Sequence, residues 1–147
     1  MKISTKGRYG TRLLLDLALH RREEPVLLRD IALRQDISLH YLEHLIGPLV
    51  AGGIVRTTRG PKGGISFIKP PEQIKLSEVI RLLEGSTAPS ECVNDAAVCN
   101  RSGSCVTRDV WDEVKRKTDG ILESVTIQNL VERHKKKMQS KKPMYYI

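Results

Sequence analysis

Three cysteines, Cys92, Cys99 and Cys105, fall within a stretch of fourteen residues, and the chain has no others. Six residues separate the first pair and five the second. This spacing is not that of the paired CxxC knuckles of a zinc ribbon. Soft thiolates on a segment able to wrap a compact inorganic core suit an iron–sulfur cluster. Free thiols, redox-reactive cysteines and a zinc site are the alternatives. Three thiols are too few for a disulfide framework, and an odd number leaves one over. Cys105 opens a helical pattern, where the free N–H groups of a first turn favour its thiolate.

A second group of chemically able residues lies upstream. Ser38, His40, Glu43 and His44 share the polar side of an amphipathic helix. Two histidines four residues apart have the spacing of a metal-binding pair. On an exposed face, solvent or phosphate contact is the simpler reading. A third group is the basic, glycine-rich string Arg59-Gly60-Pro61-Lys62-Gly63-Gly64. Its glycines let the backbone approach phosphates, and its Arg59 and Lys62 suit a narrow minor groove.

Apolar periodicity indicates which elements must position these groups. Tyr9, Leu13, Leu14 and Leu17 repeat at helical spacing within a first helix over 4–21. Arg8, Arg12 and Asp16 form a charged face on it, and Arg8 and Arg12 offer phosphate contacts. Leu28, Ile31 and Ala32 mark a short second helix, and Gln35-Asp36-Ile37 a turn. Ser38 is a suitable N-cap for the third helix, where Leu42, Leu45, Ile46, Leu49 and Val50 sit at i, i+3, i+4, i+7 and i+8. Pro48 predicts a bend, and Gly52-Gly53 end the helix.

Two β-rich runs, 54–58 and 65–68, flank the basic string and predict a hairpin. After a Pro70-Pro71 joint, a helix over 76–83 points Val79, Ile80 and Leu83 inward. Residues 84–104 show no periodicity and read as an unstructured, functional loop. A long helix from Cys105 carries one stripe through Val110, Trp111, Val114, Thr118, Ile121, Leu122 and Val125. A short helix over 126–131 and a flexible basic tail over 134–147 complete the chain.

Three helices followed by a hairpin make a winged helix-turn-helix, which presents its third helix to the DNA major groove. The fold class is therefore mostly α with a small β-hairpin wing, followed by a long C-terminal helix. The domain division is a DNA-binding unit over 1–71, a cysteine-loop and helical unit over 72–133, and the tail.

Charge follows the same division. The net charge of +8 over 147 residues points to an anionic partner. Residues 1–70 hold 12 Lys and Arg against 6 Asp and Glu, residues 71–133 hold 8 against 11, and residues 134–147 hold 5 against none. One Phe and one Trp leave an aliphatic core. No apolar run approaches a membrane span, and Met1 to Arg8 lacks a signal-peptide core, so a cytoplasmic location is expected. No nucleotide loop, catalytic triad or paired acid/base motif suggests an enzyme.

Four strings together resemble the Rrf2 family of bacterial transcription regulators. They are Gly7-Arg8-Tyr9, the run from Ile37 to Leu45, the string from Arg59 to Gly64, and the cysteine loop. The resemblance covers residues 1–133. It implies a homodimer that pairs through the helix starting near Cys105 and reads a palindromic operator in double-stranded DNA. It places Ser38, His40, Glu43 and His44 on base edges, with Glu43 accepting from a cytosine amino group, and Arg59 in the wing. Arg8 and Lys62, read above as basic contacts on the first helix and the wing tip, complete the expected DNA-binding set. It implies an iron–sulfur cluster on Cys92, Cys99 and Cys105, with 2Fe-2S favoured over 4Fe-4S, that controls operator affinity.

One branch of the family carries a His three residues after the third cysteine as fourth ligand, and another takes an Asp from the partner's first helix. The matching positions here are Arg108 and Arg8. The fourth ligand is therefore unassigned, with Glu91, Asp95, Asn100, water or a partner-chain group as candidates. A metal-free repressor of the same fold, controlled by thiol redox or by a partner protein, is the alternative.

Overall fold

The computed structural model describes residues 2–143, and these form seven α-helices and one antiparallel hairpin. Helix α1, Thr5–Leu19, starts at Ser4, whose side chain accepts the Lys6 N–H. Helix α2, Leu28–Gln35, ends at Asp36, which takes the left-handed conformation that Asp tolerates. That residue makes the turn into α3, Leu39–Ala51. The Ser38 hydroxyl caps α3 as expected, accepting the Tyr41 N–H at 3.1 Å. Helix α3 runs unbroken through Pro48.

Strands β1, Val55–Thr58, and β2, Gly64–Phe67, pair from Val55↔Phe67 to Thr58↔Gly64. A bridge between Val26 and Ile65 fastens β2 to the entry of α2, with N–H···O distances of 2.9 and 2.8 Å. Gly64 makes this approach possible. Its φ is +147°, and a Cβ there would sit 2.3 Å from the Val26 carbonyl oxygen.

After a 3-10 turn at Pro71–Gln73 comes α4, Leu76–Glu84. Helix α4 lies directly on α1 because Gly7 and Gly10 present no side chain there; a Cβ on Gly10 would meet Leu83 Cδ1 at 2.1 Å. Glu84 Oε1 then accepts the N–H groups of Ser4, at 2.7 Å, and Gly7, at 3.1 Å. A carboxylate at a helix N-terminus satisfies orphan donors and opposes the macrodipole.

One aliphatic core results, with Leu13, Leu14, Ile31, Leu42, Leu49, Ile54 and Val55 at its centre. Ile74, Val79, Leu83 and Ile127 belong to the same cluster. By contrast, no residue from 85 to 124 is buried. The core therefore takes in α4 and Ile127 from beyond residue 71.

Three expectations change here. Residues 84–104 are not unstructured. They contain a helical turn, α5, Glu91–Asn94, and a 3-10 turn at Ala96–Val98. Local capping builds them, as where Asp95 Oδ1 accepts the Ala97 N–H at 2.9 Å. Such turns leave no periodic trace. Second, α6 spans Val106–Glu123, and Val125 lies beyond it, buried. Third, the last helix is longer than 126–131. Helix α7 runs Ile127–Ser140, started by a capping box between Thr126 and Asn129. Ile127 and Val131 anchor it, so the stretch His134 to Lys137, expected as flexible tail, continues a nucleated helix. Residues 144–147 of that tail lie outside the described residues.

Candidate nucleic-acid interface and cysteine segment

The buried face of α3, Leu42, Leu45, Ile46 and Leu49, fixes which residues point away from the core. His40, Glu43 and His44 are exposed on the opposite side, and Ser38 is exposed at the head of the helix as its N-cap. The structure thus brings three of the seven expected DNA contacts onto one helical face, with a fourth at its N-terminus. The Nε2 atoms of His40 and His44 lie 3.1 Å apart, and Glu43 Oε2 lies 3.9 Å from His40 Nδ1.

In the wing, Arg59 is exposed and Lys62 nearly fully so. The Lys62 Nζ lies 3.9 Å from a Glu24 carboxylate oxygen, a loose exposed pair of little strength. On α1, the exposed Arg8 donates to the Thr5 hydroxyl at 3.3 Å and lies over the Tyr9 ring. Tyr9 meets Tyr41 of α3 edge-on, with centroids 5.6 Å apart, so the basic side of α1 is braced against α3.

Arg12, expected as a phosphate contact, is committed elsewhere. Its Nε donates to Gln35 Oε1 at 3.1 Å, and its Nη2 donates to the Gln35 carbonyl. Its neighbour in the charged pattern, Asp16, is 1% exposed rather than solvated. Arg34 donates to Asp16 through Nε and Nη2, and Gln35 Nε2 donates to it at 2.8 Å. Burial of a carboxylate requires such charged partners, and the Asp16 hydrogen bond is the main reason that the Arg34 guanidinium holds its proton more firmly than usual. Arg12 and Asp16 together lock the end of α2 that leads into α3. Sequence periodicity placed both on a polar face. The one signal available was the excess of Arg and Gln at the end of α2.

The three cysteines are free thiols. Cys92 lies on α5, Cys99 follows the 3-10 turn, and Cys105 is the N-cap of α6. The Cys105 thiol titrates below its ordinary range. The Thr107 hydroxyl, 3.1 Å from its sulfur, is the first cause and the Arg108 N–H the second. The structure does not bring the thiols together: no group of three His, Cys, Asp or Glu among the described residues is gathered to hold a metal ion. The donor chemistry, three unpaired thiols of which one favours its thiolate, nevertheless suits soft iron.

Arg108 has a different role from a ligand. Its Nε donates to the Cys92 carbonyl at 2.8 Å, tying α5 to α6. A second tie joins the segment to α6, from the Thr87 hydroxyl to Asp119 at 2.5 Å. Burial pushes the Asp119 carboxyl up, but the Lys115 and Thr87 hydrogen bonds outweigh it, and the group titrates below the usual range. A cavity of 640 Å³ between α4, this segment and α6 is lined by Arg81, Thr87, Asn94, Lys115 and Asp119 among others. Helix α6 buries no residue; Val106, Val110, Trp111 and Ile121 are 75, 52, 44 and 67% exposed.

No helix among the described residues is long and apolar enough to cross a membrane. The family described as Rrf2, iron-dependent transcriptional regulator, matches residues 3–133. The protein rrf2 of Nitratidesulfovibrio vulgaris is 40% identical over 131 residues, covering 89% of this chain and 87% of that protein. The solved structure of T. potens IscR is 36% identical with a TM-score of 0.79, covering 99% of this chain and 97% of that one. CymR of B. subtilis, described as the global cysteine regulator, is 34% identical with a TM-score of 0.76, covering 90% and 98%. The winged-helix architecture, the exposed polar face of α3 and a match over nearly the whole chain lead to one conclusion: this chain belongs to the Rrf2 family of DNA-binding transcriptional regulators.

Proposed function

We propose that this regulator works as a homodimer on palindromic double-stranded DNA, and that an iron–sulfur cluster on Cys92, Cys99 and Cys105 controls its affinity. The observation that carries the control is the placement of Cys105. It caps the helix on which Val106, Val110, Trp111 and Ile121 are exposed, and its thiolate is favoured there. A change at the cysteines is therefore a change at the start of α6.

Dimerisation follows from that stripe. Val106, Val110, Trp111 and Ile121 on one helix are exposed apolar side chains of the kind that mark an interaction surface. A second copy packing α6 against α6 covers it. Twofold symmetry then presents two copies of α3 to two half-sites, and a palindrome matches that symmetry. On each half-site Ser38, His40, Glu43 and His44 read base edges, Arg59 and Lys62 reach the flanking minor groove, and Arg8 contacts phosphate.

A bound cluster supplies a compact core that three thiolates can share. The chain's own part is mechanical. Cys92 on α5, Cys99 after the 3-10 turn and Cys105 at the head of α6 would hold the group, so holding it would couple α5 to the start of α6. The Arg108–Cys92 tie and the Thr87–Asp119 tie pass that coupling along α6. The cavity behind the segment gives it room to shift. Helix α6 sets the spacing of the two α3 helices, so the two positions of the segment differ in operator affinity, which is the requirement for a population shift. We favour 2Fe-2S over 4Fe-4S; either takes four ligands, three of them here the thiols. The fourth position falls to Glu91, Asn100, water or the partner chain, since Asp95 already caps a turn.

Iron and sulfide analysis of anaerobically purified protein tests this reading, together with binding to duplexes selected from a random pool. Stoichiometric iron and sulfide, and altered affinity in the Cys92→Ala/Cys99→Ala/Cys105→Ala variant, are expected. An iron-free protein whose DNA binding is the same in that variant ends it. The metal-free thiol reading rests on the same reactive Cys105; it gains the field if two of the cysteines form a reversible disulfide without iron.

A further inference from the structure

We propose that His40 and His44 form a binding site for a single divalent transition-metal ion, of the zinc class, on the exposed face of α3. Their Nε2 atoms face each other at 3.1 Å, with ring centroids 4.6 Å apart and planes at 83°. With zinc–imidazole bonds of about 2.0–2.1 Å, that separation subtends roughly 95–102° at a shared ion. This lies between the right angle of an octahedral site and the wider angle of a tetrahedral one. Positions four apart on a helix sit one above the other, so the backbone holds the pair in place.

A second feature points the same way. Glu43 Oε2 lies 3.9 Å from Nδ1 of His40, the nitrogen that faces away from His44. At that distance the carboxylate is an exposed charge beside Nδ1 rather than a hydrogen-bond partner, on the side where outer-shell acceptors of metal-ligating histidines stand. Without metal, one ring donates its Nε2–H to the other. With metal, both lone pairs turn onto the ion, and water completes its shell. Imidazole nitrogens select zinc, copper and nickel over magnesium or calcium. Chelation also turns both rings toward each other and away from any other partner. The further consequence, that zinc and DNA compete, rests on the reading of this α3 face as the base-contacting one.

The test is calorimetric titration of zinc chloride into the full-length chain with its three thiols blocked by iodoacetamide, which removes stronger competing ligands. One equivalent per chain is expected. The affinity falls by about tenfold or more in His40→Gln and in His44→Gln, while His134→Gln leaves it unchanged. Zinc binding at full strength in both single-histidine variants overturns the site. The same blocked protein is then assayed on a selected duplex. Zinc weakens wild-type binding and leaves His44→Gln unaffected. If the calorimetric site stands but zinc does not alter DNA binding, the site is supported and the placement of this face on DNA is what fails.

Discussion

Residues 5–83 and residues 85–124 are built in opposite ways. The first stretch folds three helices, a hairpin and α4 around Leu13, Leu14, Leu42, Leu49, Val55 and Val79, each fully buried. Its polar exceptions are satisfied internally, Asp16 by Arg34 and Gln35. The second stretch has eighteen residues of helix, a strapped segment with three thiols, and no buried residue. One region is a finished object, stable in the position where it meets a ligand. The other is held by polar ties and by whatever covers α6. Under the proposed control this contrast would matter: rigidity in the DNA-contacting region would keep specificity, while a less buried second region would yield to a small chemical event.

Mutation sharpens the contrast most. Leu42→Ala empties a site with no solvent exposure, and a loss of about 2–5 kcal/mol in denaturant unfolding is expected. Ile121→Ala removes a larger exposed surface, yet its effect on unfolding of a dilute monomeric sample stays within about 0.5 kcal/mol. Equal losses at the two positions would show α6 to be part of a single-chain core, and the contrast would collapse.

Asp16→Ala probes the polar side of the same region. It leaves the Arg34 and Gln35 donors without their acceptor, and a cost of about 2–3 kcal/mol is expected. Since these residues fix the α2 end before the turn, DNA affinity at a temperature below melting should fall as well. A variant that melts earlier but binds DNA normally would confine Asp16 to stability.

The exposed arm answers to association instead. Trp111→Glu places a charge in the stripe of α6 that is otherwise Val106, Val110 and Ile121. Light scattering after size-exclusion chromatography should show the wild type at twice the monomer mass and the variant at the monomer mass. Its binding to a palindrome should fall to the level of a single half-site. Retained dimers would locate the interface elsewhere.

The two regions also differed in how far their sequence could be read. Alternation of apolar residues placed α1, α2, α3, the hairpin and α4, because each of them buries a face and burial imposes a period. The Ser38 cap and the exposed set on α3 followed from the same register. Asp16 was misjudged because a buried, paired carboxylate and a solvated one occupy the same slot in a helical pattern. The segment over 85–104 was opaque for a different reason. Its turns are set by single hydrogen bonds, such as Asp95 to Ala97 and Arg108 to Cys92, which carry no periodicity. Helix α7 outran its expected end because Thr126 and Asn129 nucleate it, and the lysines that follow prolong a helix at little cost. The cysteines were legible as a donor set and not as a geometry.

The smallest expected effect tests whether the arm is chemically poised as well as loosely packed. The Thr107 hydroxyl and the Arg108 N–H favour the charged form of the Cys105 thiol, so its titration lies below the ordinary range. The sign follows directly. Lowering a thiol's pKa raises its thiolate fraction at pH values below the ordinary midpoint of about 8.5, and makes no difference well above it. The thiolate is the species that iodoacetamide alkylates. Cys105 should therefore be alkylated readily around neutral pH, as read by peptide mass mapping. Thr107→Val should shift that reactivity to higher pH, with the two proteins converging in alkaline solution. Cys105 is half-buried at the head of α6 and Thr107 is an exposed residue outside the core, so alkylation rate rather than melting temperature is the readout that separates the two proteins. A Thr107→Val protein with an unchanged alkylation profile would leave Cys105 an ordinary surface thiol. The difference between the two regions would then be one of packing alone.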